Sequence, residues 1–321
     1  MQIQLNKTYN MDWLKLLSLL ADESVDCCIT STPYFGLRDY KCAGQIGLEK
    51  KPELFIERLV FGFREIRRVL KKTGTCWLNI GDSYVQTKSR YNSAPQTMSG
   101  KVRDVPMDNN RIDLKGHEFL KNKDLALVPF RLAIALQEDG WWVRQDIIWH
   151  KPNPMPESVE DRCTKAHEYI FLLTKSETYF YDHDAIKEPY TSPLNRWGGV
   201  NLTKNGISAW DEETGQNTNR NRSMRPDPKG RNKRSVWHVE TTPYAGAHFA
   251  TFPEKLILPM VLAGCPEGGT ILDPFMGAGT TALVALKNNR NFIGSELNPI
   301  SCKLADERIA GIINQEKLSF V

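Results

Sequence analysis

Two short clusters in this 321-residue sequence carry residue types that could do chemistry together. The first is Asp273-Pro-Phe-Met-Gly277-Ala-Gly279-Thr-Thr281, lying between an apolar stretch and a helix-forming one. Glycines where a strand turns into a helix let the backbone approach a ligand closely, and the helix N-terminus offers free N–H groups and a positive dipole. Glu296 follows 23 residues after Asp273, at the end of the next strand. A carboxylate there can accept both hydroxyls of a ribose. A pyrophosphate seat would show G-x-G-x-x-G. Here the glycines are two and an acid stands ahead of them, which suits a ligand with a cationic amino-acid tail better than one with phosphates.

The second cluster is Thr30-Ser-Thr-Pro-Tyr34. An aromatic ring beside a small hydroxyl and outward carbonyls can stack on a base and accept hydrogen bonds from its amino group. Pro33 holds Thr32 extended, which keeps the Thr32 carbonyl pointing outward. The tetrapeptide Ser31–Tyr34 alone also fits a plain Ser-Thr-Pro turn.

Both clusters need a scaffold that brings strand ends together. Residues 25–30 and 75–80 read as buried strands around a helix at 52–70, whose apolar residues recur at helical spacing. That order argues for a parallel sheet covered by helices. A helix over 125–138 and strands at 142–150 and 169–174 follow. The last quarter alternates helix 252–262, strand 270–273, helix 279–288, strand 291–296 and helix 301–313. Residues 85–122 are polar and read as a long functional loop. Residues 185–241 lack apolar periodicity and read as an insertion lying off the sheet. The expected organisation is a catalytic half at 1–184, an insertion at 185–245 and a cofactor half at 246–321.

Hydrophobic residues make up 40% and charged residues 25% of the chain, enough for a real core. No apolar run approaches the roughly 18 residues that span a bilayer, and no signal pattern opens the chain, so a cytoplasmic protein is expected. The seven cysteines form no Cys-x-x-Cys pair, which argues for buried reduced thiols and against a disulfide framework or a metal site. A net charge of +4 is too small to imply a polyanion partner, but its distribution says more. Arg220, Arg222, Arg225, Lys229, Arg231, Lys233 and Arg234 crowd one stretch against a single acid, Asp227. Such a run matches the footprint of a nucleic-acid binder, and equally a solvated basic loop.

Taken together, the clusters resemble the amino-methylating DNA methyltransferases, with catalytic motif (Asp/Asn/Ser)-Pro-Pro-(Tyr/Phe/Trp) and cofactor motif Phe-x-Gly-x-Gly. Phe275-Met-Gly-Ala-Gly279 matches in full, with Leu272-Asp-Pro before it and Thr280-Thr281 after. Ala247 to Lys255, Ile148 to Pro154 and His167 to Phe171 also look like blocks of this family, so the resemblance covers nearly the whole chain. The catalytic motif comes first, which is the order of the permuted group called β. There the target-recognition region falls where this chain has its basic, irregular segment.

The resemblance implies an α/β fold with a Rossmann-like, mostly parallel sheet, S-adenosylmethionine as cofactor and double-stranded DNA as partner. It implies base flipping, with Ser31, Thr32, Pro33 and Tyr34 as the catalytic residues. Asp273 would hold the methionine side and Glu296 the ribose, with Phe249, Phe275, Gly277, Gly279 and Thr280 around the cofactor. Ser at the first motif position is more typical of cytosine-N4 enzymes, with adenine N6 as the alternative. Carbon-5 methylation needs a Pro-Cys pair, and the chain has only the reverse, Cys265-Pro266. A non-enzymatic DNA-binding module would explain the basic run but not the cofactor cradle. The recognition sequence, the oligomeric state and a cognate restriction endonuclease stay open.

One position departs from the family, because Thr32 replaces the first proline of the motif. Its carbonyl is retained, while the backbone angle that the ring would fix is freed. The protein with Thr32 is expected to methylate DNA. Normal cofactor binding with no methylation, restored by Thr32→Pro, would contradict this in a methyl-incorporation assay.

Overall fold

Apolar and alternating stretches supply eight strands: β1 Lys7–Asn10, β2 Val25–Ser31, β3 Leu70–Ile80, β4 Trp142–His150, β5 His167–Thr174, β6 Val236–His238, β7 Thr270–Asp273 and β8 Asn291–Glu296. In the computed structural model, which describes residues 2–37, 39–85, 117–190, 227, 229–241 and 252–319, they form one sheet of order β1-β8-β7-β2-β3-β5-β4-β6. All neighbours are parallel except β3 with β5 and β5 with β4. The helices are α1 Trp13–Ser18, α2 Pro52–Val69, α3 Val128–Glu138, α4 Glu254–Gly264, α5 Thr280–Lys287 and α6 Pro299–Ser319.

Successive strand residues point to opposite faces, and here both sets are buried. Cys28, Leu78, Leu272 and Ile293 join the core formed with α1, α2 and α3. Cys27, Ile29, Trp77, Ile271 and Phe292 alternate with them and are equally buried. Helices α4, α5 and α6 pack in succession, α4 against β2 and β3 and α6 against β1 and β8. The result is the helix–sheet–helix sandwich expected of strand–helix alternation.

Several boundaries differ from the sequence reading. Helix α3 begins at Val128, not at 125, because Leu127 is left-handed (φ 56°) and Ala126 is hydrogen-bonded to the Ser83 carbonyl. Strand β1 and helix α1 were not foreseen; four and six residues are too few to display a period. The expectation that 185–241 lies wholly off the sheet is corrected at its end. There β6 pairs with β4, with Trp149 opposite Trp237, and the Trp149 indole donates to the Val239 carbonyl at 2.8 Å. Residues Asp182–Arg234 form a compact unit of their own, containing a 3₁₀ turn at Asp184–Ile186 and a bridge between Glu188 and Arg231.

Residues 86–116 of the polar stretch, residues 191–226, 228 and 242–245 of the expected insertion and residues 246–251 of the expected cofactor half lie outside the described residues. Five of the seven free cysteines are buried, but Cys163 is exposed and Cys42 is partly so, which corrects the expectation for those two. Among the described residues no helix is long and apolar enough to cross a membrane.

Candidate active site

Strands β2 and β7 are parallel neighbours, with Cys27 opposite Ile271 and Cys28 opposite Leu272. Their carboxyl ends therefore open on the same edge of the sheet, where ligands of open α/β sheets bind. This places the Thr30–Tyr34 cluster beside the Asp273–Thr281 cluster. One side-chain hydrogen bond joins them, from the Thr30 hydroxyl to Asp273 Oδ1 at 2.7 Å.

Asp273 is 1% exposed. Its Oδ1 also accepts the Phe275 N–H at 3.0 Å, and its Oδ2 accepts the Thr281 hydroxyl at 2.7 Å. The carboxylate thus lies beneath the glycine loop and fastens both of its ends. Burial pushes the Asp273 carboxyl up to about 6, against the pull of the hydrogen bonds from Thr281, Thr30 and Phe275.

The loop above it is shaped by Gly279, whose φ of +78° is left-handed and whose added Cβ would come within 2.9 Å of the Ala305 Cβ. The Gly277 N–H donates to Glu296 Oε2 at 2.9 Å, and the Asn298 N–H to Oε1 at 2.7 Å. Those bonds set the Glu296 carboxylate at the end of β8 against the loop, and burial raises its carboxyl above the usual range. Among the described residues an added Cβ on Gly277 would meet only the Phe275 carbonyl, at 4.0 Å, so they leave the space over that glycine open. Phe275 rests on Trp13 with ring centroids 4.8 Å apart. Arg308 of α6 donates to the Ala278 carbonyl at 2.5 Å. An open glycine surface with a carboxylate at its rim fits a nucleoside carrying a cationic tail.

On the other side, Ser31 stands opposite Asn79 of β3. The Ser31 hydroxyl donates to Asn79 Oδ1 at 3.0 Å. The Tyr34 hydroxyl lies 3.2 Å from the same oxygen and 2.5 Å from Glu168 Oε2. Asn79 Nδ2 donates to Glu168 Oε2 at 3.3 Å and to the Tyr169 carbonyl at 3.1 Å, while the Lys151 ammonium holds Glu168 Oε1. Gly81 lets the Tyr34 ring come close to the backbone, since a Cβ there would come within 2.4 Å of that ring. Thr32 is 2% exposed, and its hydroxyl has no partner among the described residues.

Sequence reading missed Asn79, Glu168 and Lys151. The last two lie within the blocks Ile148 to Pro154 and His167 to Phe171, which carried the family resemblance without a role for these side chains. Phe249, Arg220, Arg222 and Arg225 lie outside the described residues. In the Asp182–Arg234 unit the remaining basic residues are paired with acids distant in sequence. Lys229 contacts Asp184 at 2.5 Å, and Arg231, Lys233 and Arg234 converge on Glu188 at 3.4, 3.7 and 2.9 Å. Burial acts to raise the Glu188 carboxyl, but the Arg234 hydrogen bonds together with the charges of Arg234 and Lys233 leave it below the usual range.

The profile of a DNA methylase family covering N6 and N4 methyltransferases matches residues 25–307. The Type II methyltransferase M.Cfr9I of Citrobacter freundii is 43% identical over 300 residues, covering 94% of this chain and 86% of that protein. The Type II methyltransferase M.SmaI of Serratia marcescens is 43% identical over 290 residues, covering 90% and 86%. The solved structure of PvuII DNA methyltransferase (cytosine-N4-specific) is similar in fold, with a TM-score of 0.59, 17% identity and coverage of 96% of this chain and 93% of that one.

The raised Asp273 carboxyl yields a pH-dependent test. Its folded value, about 6, exceeds the ordinary 3.8, so its ionisation costs stability above pH 6 and that cost disappears as pH falls toward 4. Asp273→Asn has no such ionisation. The unfolding free energy of the wild type should therefore gain about 2 kcal/mol relative to Asp273→Asn between pH 7.5 and 4.5 in denaturant titrations. A difference that does not change with pH would contradict the burial of this charge.

Proposed function

The chain belongs to the N6/N4 DNA methylase family, whose members take their methyl group from S-adenosylmethionine, and we propose that it methylates N4 of a cytosine flipped out of duplex DNA. The Thr30–Asp273 hydrogen bond is the observation that carries this reading, because it sets the base-facing cluster beside the cofactor loop.

When bound, S-adenosylmethionine supplies an electrophilic methyl group. The glycine loop at Gly277 and Gly279 takes its amino-acid tail, with Phe275, Phe249 and Thr280 around it. Glu296 accepts the ribose hydroxyls, and Asp273 holds the loop from below. The Tyr34 ring stacks on the flipped base, a contact worth roughly 1–3 kcal/mol in comparable systems. Ser31 Oγ and the Thr32 carbonyl accept the two N–H bonds of the amino group. That leaves the nitrogen lone pair facing the cofactor side, and positioning supplies most of the acceleration. No covalent enzyme intermediate is needed.

Ser31 at the first motif position supports cytosine N4. The same two acceptors suit the adenine amino group, so N6 methylation is the second reading. The basic residues from Arg220 to Arg234 would meet the DNA backbone, Lys229, Arg231, Lys233 and Arg234 after exchanging acid partners for phosphate. The relatives are named as Type II methyltransferases, which supports a role beside a cognate restriction endonuclease.

Incubation with S-adenosylmethionine and unmodified DNA, digestion to nucleosides and mass spectrometry should give N4-methylcytosine. N6-methyladenine would replace the base assignment, and no methylated nucleoside would contradict the function. Tyr34→Ala should slow transfer roughly ten- to a hundredfold, with cofactor affinity unchanged in calorimetry.

A further inference from the structure

We propose that Lys151, Glu168 and Asn79 form a positioning chain that fixes the hydrogen-bond polarity of Ser31, so that the site admits exocyclic amino groups and rejects carbonyl oxygens. The proposal rests on the placement of the target base beside Ser31 given above, and adds three residues that lie outside both motifs.

Lys151 bears three donors and no acceptor, and it sits on Glu168 Oε1. The two side chains are only 19% and 14% exposed and form an ion pair. A carboxylate and a backbone carbonyl can only accept. Asn79 faces both, Glu168 Oε2 at 3.3 Å and the Tyr169 carbonyl at 3.1 Å, so its NH₂ end must point toward β5. Its oxygen is thereby turned to the Ser31 hydroxyl at 3.0 Å. That oxygen also only accepts, which commits the single Ser31 proton to Asn79. The Tyr34 hydroxyl lies nearer Glu168 Oε2, at 2.5 Å, than the Asn79 oxygen, at 3.2 Å, and that oxygen has lone pairs enough to accept from both hydroxyls.

Ser31 Oγ accepts no hydrogen bond among the described residues, so its lone pairs are what it can offer a base. The adjacent Thr32 carbonyl is likewise an acceptor. An amino group brings two donors to this pair and is matched. A keto oxygen would bring lone pairs against lone pairs, and a buried polar group left unpaired is costly. Asn79 is 2% exposed, so water cannot readily restore the opposite polarity. The strand register makes the chain possible, because Ser31 stands opposite Asn79 and Asn79 opposite Ile170, two residues beyond Glu168.

The test is a double-mutant cycle on the whole protein. Tritium transfer from labelled S-adenosylmethionine to unmethylated, amplified genomic DNA is measured at saturating concentrations. Glu168→Gln places a donor where the carboxylate accepted, which favours flipping Asn79 and reversing Ser31. It should lower kcat tenfold or more and leave the KM for S-adenosylmethionine within twofold. In a Ser31→Ala background the same change should cost less than twofold, because there is no hydroxyl left to orient. Lys151→Met, at the outer end of the chain, runs the same cycle if Glu168→Gln does not fold. Wild-type rates for both variants, or an equal loss with and without Ser31, would overturn the positioning chain alone. A wild-type rate for Ser31→Ala would remove the reading of Ser31 on which the chain rests.

Discussion

A carboxylate with 1% exposure accepts three hydrogen bonds where two parallel strands end, and the architecture of the site hangs on it. Asp273 takes one hydroxyl from the β2 side, one from the start of α5 and one N–H from the glycine loop. Ionised there, it costs about 3 kcal/mol relative to an ordinary carboxyl, as the shift from 3.8 to about 6 implies. Glu296 nearby is also pushed up by burial, and its charge adds to the cost at Asp273. Two carboxylates raised in this way favour a positively charged ligand, since a nearby cation stabilises the ionised form. The cationic cofactor of the family answers that demand.

The same economy governs the base side. Ser31, Asn79 and Glu168 come from three adjacent strands and are joined by hydrogen bonds that end on the Lys151 ion pair. Rigid strands hold these groups, while the Tyr34 ring is located by contact with Gly81. Methyl transfer to an amino group asks for alignment more than for acid–base chemistry, and a sheet edge with committed hydrogen bonds supplies alignment.

How much of this was legible in the sequence follows from how local each signal is. Strands β7 and β8 were read to the residue, because short apolar runs there are bounded by Gly and Asn turns. The motifs announced themselves by composition within nine residues or fewer. The start of α3 was misplaced because a left-handed Leu127 has no signature in a single sequence. Strand β6 hid within an irregular stretch, since three residues show no alternation. Asn79, Glu168 and Lys151 have partners as far as 134 residues away, and only the folded register reveals them. The basic run seemed nearly free of acids for the same reason. Asp184 and Glu188 lie some forty residues before the cations they neutralise.

The central claim is that both clusters serve one reaction centre at the ends of β2 and β7. The crystal structure of this protein with S-adenosylmethionine bound tests it most directly. The account predicts the ribose on Glu296, the amino-acid tail over Gly277 and Gly279, and the sulfonium methyl directed toward Ser31 and Tyr34. Cofactor bound elsewhere, or bound in the loop with its methyl turned away from Ser31, would contradict it.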